Sequence, residues 1–91
     1  MFNSLGLIET RGYVAAVAAA DAMVKAAKVK VVQKKEIGGG MVSITVVGDV
    51  GAIKTAIEAG AEAANAVGEV VSTHVIARPH EETEAFLAPQ A

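Results

Sequence analysis

The chain contains no cysteine and no tryptophan, and only two phenylalanines and one tyrosine in 91 residues. Without cysteine there is no disulfide, no thiolate metal site and no thiol nucleophile. Without bulky aromatics, a core has to be assembled from aliphatic side chains. An excess of one charge is also missing: eight basic and ten acidic residues are intermixed and leave a net charge of −2. No basic face suggests nucleic acid, and no block of like charge suggests a solvated tail. No apolar run reaches the roughly 20 residues a membrane-spanning helix needs, and no basic region precedes a signal-peptide core. The expectation is a soluble cytoplasmic protein with neither nucleic acid nor membrane as partner.

Small apolar side chains are what the chain has in excess. Hydrophobic residues make up 53% of it, mostly alanine and valine. This length has room for one domain, expected over residues 1–91, and a lone chain of this size buries only about 60–65% of its unfolded surface. More apolar surface is present than one small core can hide.

Periodicity orders the elements as strand, helix, hairpin, helix, strand. Leu5 to Thr10 reads as a first strand, closed by Arg11-Gly12, and Tyr13 to Lys28 as an alanine-rich helix. Val29 to Glu36 and Met41 to Val47 are β-branched runs flanking Gly38-Gly39-Gly40. In the second, Val42, Ile44 and Val46 alternate with Ser43 and Thr45, as on a strand with one buried face. Gly48-Asp49 supplies a turn and a helix N-cap, and the second helix runs to about Ala66, stopped by Gly68. Val70 to Ala77 is the last strand, ended by Arg78-Pro79, with a short helix expected from Glu81 to Leu87. This β-α-β-β-α-β order predicts an α+β, ferredoxin-like sandwich: one antiparallel sheet with two helices on one face.

The two helices differ. In the second, Lys54, Glu58, Glu62 and Asn65 form a wet stripe opposite Ile53, Ile57, Ala61 and Ala64. In the first, the only polar positions after Tyr13 are Asp21, Lys25 and Lys28. One sheet cannot cover a helix that is apolar nearly all round, so another copy of the chain is expected to.

Catalytic chemistry is hard to place. Ser72 and His74 share a strand face, but no acid is placed to orient the histidine, and they read as polar residues on a partly exposed strand. His80 and Glu84 stand at i, i+4 spacing without a third ligand, which reads as a solvated helix rather than a metal site. Phosphate-cradling glycines usually follow a strand and open a helix, whereas these lie between two strands with Lys35 before them. No catalytic residue, metal or cofactor is assigned. A ferredoxin-like oligomeric regulator binding a small anion at the glycine loop stays open as an alternative.

Several segments together resemble the single-domain shell proteins of bacterial microcompartments. They are Gly6-Leu7-Ile8-Glu9-Thr10-Arg11-Gly12, Ala19 to Ala27 with Asp21-Ala22-Met23-Val24-Lys25, the hairpin Ile37-Gly38-Gly39-Gly40, Gly48-Asp49-Val50-Gly51-Ala52, and His74 to His80. The resemblance covers almost the whole chain in order. It implies a flat cyclic homohexamer that tiles with neighbouring hexamers and other shell proteins into facets around encapsulated enzymes. Glu36, Ile37, Gly38, Gly39 and Gly40 would line a pore for small polar metabolites at the six-fold axis, with backbone N–H groups facing the channel. Lys25, Lys28 and Arg78 would lie at the hexamer edge. Four positions depart from common family choices: Gly39 is often Ser, Glu36 often Lys, Lys28 often Asn, and Ala77 Pro in some relatives. Glu36 near the pore is expected to oppose anions, with Lys35 offsetting part of its charge.

Overall fold

The computed structural model describes residues 4–77. The elements are β1 (Ser4–Arg11), α1 (Tyr13–Ala26), β2 (Lys30–Gly38), β3 (Met41–Gly48), α2 (Val50–Val67) and β4 (Glu69–Ala77). The four strands form one sheet in the order β2-β3-β1-β4, and every adjacent pair is antiparallel. This is the expected ferredoxin-like arrangement, with both helices on one face of the sheet. The helix expected from Glu81 to Leu87, with Arg78, His80 and Glu84, lies outside the described residues. No helix among the described residues is long and apolar enough to cross a membrane.

Register decides which side chains meet the helices. Ile8 pairs with Ile44, Gly6 with Val46 and Thr10 with Val42, so these residues share one face. They join Ala15, Ala16, Ala19 and Met23 of α1 and Ile53, Ala56, Ile57 and Ala64 of α2 in a single buried cluster, with Gly6 and Thr10 at its margin. Val42, Ile44 and Val46 are buried as their alternation predicts, and the α2 stripe of Lys54, Glu58, Glu62 and Asn65 is exposed. Thr10 is a fully buried polar residue of this face, as is Ser4, and the Thr10 hydroxyl donates to the Gly12 carbonyl at 3.2 Å.

The layers approach closely because two residues have no side chain. A Cβ at Gly60 of α2 would lie 2.6 Å from Met23 Cγ and 2.8 Å from Ile8 Cδ1. One at Gly6 of β1 would lie 2.8 Å from Ile53 Cγ2. Both glycines therefore set the distance of α2 from α1 and from the sheet.

Two helix ends differ from expectation. α1 stops at Ala26 instead of Lys28, because β2 pairs Lys30 with Val47 and the chain must leave the helix to reach that edge. Ala27 is already extended, and its N–H still donates to the Met23 carbonyl. α2 ends at Gly68 as expected, but with φ −172° Gly68 is extended rather than left-handed. Its own requirement is steric: a Cβ there would lie 2.8 Å from Ala15 Cβ.

Gly60 gives a direct test of the close packing. Gly60→Val should lower stability by about 1–3 kcal/mol, the usual cost of overpacking, read as a lower urea midpoint with unchanged secondary structure. A midpoint at or above that of the parent would mean the crossing has slack.

Candidate functional site

The hairpin between β2 and β3 closes through two residues, Gly39 and Gly40, with φ of 64° and 78°. Positive φ at both central positions is the signature of a type I′ turn, the form whose twist matches its flanking strands. Gly38, at φ 92°, follows a register irregularity after Glu36. All three glycines thus occupy backbone that L side chains rarely adopt, which is a local reason for the run that sequence reading missed. Open space surrounds them: a Cβ at any of the three would have no neighbour within 4 Å. The tip is tied to the start of α1, where the Gly12 N–H donates to the Gly40 carbonyl at 2.7 Å. The result is a firmly placed and fully exposed strip of bare backbone.

The charged residues beside the tip divide between the two faces of the sheet. Glu36 pairs with Val42, and Lys34 with Ile44, placing both on the helix face. Lys34 donates to the Tyr13 hydroxyl at 3.2 Å, with its ammonium 5.2 Å from the ring centroid. Glu36 and Tyr13 also line a shallow cavity of about 270 Å³ against Gly12, Gly38, Gly40 and Met41. Lys35 pairs with Ser43 and stands on the opposite face, helix-free among the described residues. The expectation that Lys35 offsets Glu36 at one mouth therefore changes: the pleat separates the two.

The outer side of α1 is apolar and uncovered. Val14 is 68% exposed, and Val17 and Val24 are nearly half exposed. On the same side Lys25 donates to Asp21 Oδ2 at 2.9 Å, a solvated i, i+4 pair of modest energy. Lys28 is exposed just beyond the helix end, and Arg78 falls outside the described residues. The structure thus brings Lys25 and Lys28 to one end of α1, away from the hairpin tip, to which the start of the helix is bonded.

The helix-free face shows what else sequence reading missed. Ser72 donates to Glu9 Oε1 at 2.5 Å instead of engaging His74. His74 lines a cavity of about 240 Å³ with Leu5, Leu7, Gln33 and Ile76. The alternation of Leu5 and Leu7 with Gly6 and Ile8 signals this second apolar face, and Arg11, paired with Glu69 at 3.0 Å, closes one end of it. Among the described residues there is no cluster of three or more His, Asp or Glu side chains that would hold a metal.

A family model described as the BMC domain matches residues 4–79. The bacterial microcompartment shell protein EutM of Salmonella typhimurium is 59% identical over 82 residues, covering 90% of this chain and 85% of the relative. The bacterial microcompartment shell protein PduA of Citrobacter freundii is 55% identical over 85 residues, covering 93% and 91%. The carboxysome shell protein CsoS1C of Hydrogenovibrio crunogenus is 52% identical over 86 residues, covering 93% and 84%. A crystal structure of a microcompartment protein from Desulfitobacterium hafniense is similar with a TM-score of 0.86 at 31% identity. That match covers 93% of this chain and 48% of the other, so the chain spans about half of that longer protein.

The open space around the tip makes a stability prediction. A side chain at Gly39 clashes with nothing in the chain, so Gly39→Leu should cost only left-handed backbone strain, about 1–2 kcal/mol. Urea denaturation checks this, and a loss well beyond that range would mean the tip packs on something, within its own chain or in a neighbouring copy.

Proposed function

This chain belongs to the BMC domain family, and we propose that it fills its structural shell role as a cyclic homohexamer with a glycine-tipped central pore. The shell role itself is that of its relatives, which are microcompartment and carboxysome shell proteins. In this reading residues 1–91 act as one shell domain, and copies of it tile with neighbouring hexamers and other shell proteins around an enzyme cargo.

The observation that carries the assembled state is the uncovered valine stripe of α1. Val14, Val17 and Val24 are large aliphatic side chains facing solvent in a chain where alanine takes five of the twelve places in the buried cluster. Burying one such side chain is worth about 1.5–3 kcal/mol, so a second copy covering the stripe gains what the lone chain leaves unused. The bare tip supports the pore. Converging copies multiply any side chain at their meeting point, and Gly38, Gly39 and Gly40 add none. Ile37 and Glu36 follow them outward along the wall. Lys25 and Lys28, at the far end of α1, suit the hexamer edge with Arg78, because a long lysine stem can lie along apolar surface while its ammonium reaches carbonyls or water.

Two experiments test this reading. Native mass spectrometry of the purified chain should give hexamers, and electron microscopy should give sheets or tubes; a stable monomer in dilute buffer would sink the hexamer. Lys25→Asp should abolish sheets and leave hexamers intact, because it sets an acid against its own copy across the seam. Within the helix that change also places two acids at i, i+4, a penalty of only about 0.2–0.5 kcal/mol, too small to unfold the tile. Extended sheets from Lys25→Asp would remove this lysine from the edge.

Permeation tests the pore. Shells assembled from Gly39→Leu should admit substrate to an enclosed enzyme far more slowly than parent shells. Equal entry with intact hexamers would mean that the glycines serve only the turn.

A further inference from the structure

β2 reaches the hairpin tip with two oppositely charged residues in succession, and a pleated strand sends successive side chains to opposite faces. The cross-strand partners confirm the sides. Glu36 lies opposite Val42, which is buried under the helices, and shares a cavity with Tyr13 of α1. Lys35 lies opposite Ser43, which lines the cavity of the helix-free face.

The other charged residues nearby stand further back from the tip. On the helix face, Lys34 is two residues further from the tip than Glu36, about 6.6 Å along the strand, and is held at the Tyr13 hydroxyl. On the helix-free face, Glu9 stands beyond Ser43, about 10 Å from Lys35 across two strand spacings, and accepts from Ser72. Arg11 on that face is paired with Glu69.

From this register we infer that the channel is electrically polarised, carrying a ring of Glu36 carboxylates at its helix-side mouth and a ring of Lys35 ammoniums at its sheet-side mouth. The inference rests on the hexameric pore proposed above, set so that the two faces of the sheet turn toward its two mouths, and it adds the sign of each entrance. A cation is concentrated at the helix-side mouth and repelled at the other, and an anion meets the reverse order. Every singly charged solute therefore faces one ring of its own sign, whichever way it travels. Neutral polar molecules and zwitterions face no such barrier, and a zwitterion is turned to present its ammonium to Glu36 and its carboxylate to Lys35. Neutral or zwitterionic metabolites are the substrate class of this pore.

A polarised pore also rectifies. A field that drives cations in past Glu36 and anions in past Lys35 fills the channel with both, and the opposite field empties it. Single hexamers in a planar lipid bilayer report this directly, because each insertion is read on its own and either orientation serves. In about 0.1 M KCl, where the Debye length is about 10 Å, parent currents at opposite voltages should differ at least about twofold. In about 1 M KCl, where that length is about 3 Å, the difference should vanish. Lys35→Gln and Glu36→Gln should each abolish the asymmetry and shift the reversal potential in a KCl gradient, the first toward cation and the second toward anion selectivity.

The outcomes separate the two levels. Absence of hexamers by native mass spectrometry, or a current unchanged by Gly39→Leu, would remove the pore itself. Hexamers whose Gly39-sensitive current is symmetric in low salt, or whose rectification survives both neutralising changes, would overturn the polarity. The salt dependence of the parent decides the matter even where a variant fails to assemble.

Discussion

The close approach of α2 to α1 and to the sheet is the constraint from which the rest of this structure follows. It exists because Gly60 and Gly6 leave no Cβ where Met23, Ile8 and Ile53 press in. Layers so close leave little volume between them, and alanine fills most of what α1 contributes. The largest fully buried side chains are Ile8, Met23, Ile44 and Ile53, a short set for a mostly aliphatic chain. Val42, Val46 and Ile57 complete the larger members of the buried cluster, and other aliphatics such as Val14, Val17, Val24 and Val67 stay outside. A thin core and an apolar exterior are thus one fact seen from two sides. In a family of shell components, that exterior is the surface on which assembly can draw.

Much of the fold was legible because its signals are local. The alternation in β3 fixes one buried face, the two periodic helices fix what covers it, and the β-α-β-β-α-β order leaves few ways to pair four strands. The C-terminal end of α1 and the reason for Gly68 were not legible, since each depends on a partner distant in sequence. Lys30 has to meet Val47, and Gly68 has to clear Ala15. The tight packing at Gly60 was hidden for the same reason: a glycine within a helix shows no trace of the Ile8 side chain that will lie against it.

The candidate site was half legible. The triple glycine, the lysine pair near the end of α1 and the excess of apolar surface could all be read from residue identities. The division of charge beside the tip could not, because it depends on register. One residue of slip in β2 would exchange the faces of Lys35 and Glu36, and only the pairing with Ser43 and Val42 excludes that. The partnership of Lys34 with Tyr13 is likewise a product of tertiary packing, bringing the second strand to the start of the first helix.

The glycine run finally satisfies two demands that need not have coincided. A type I′ turn requires positive φ at Gly39 and Gly40, and the backbone continues that requirement to Gly38. Conformation alone does not demand glycine everywhere, since Asn or Asp is well tolerated at the first turn position. An Asn at Gly39 would keep the turn and place a polar side chain into the open space beyond the tip. Glycine keeps the turn and leaves that space empty. Where the tip ends in bulk solvent the difference is small. Where six tips share one axis, it sets the width of the opening, and the nearest charges left to govern passage are those one step back, on opposite faces of the strand.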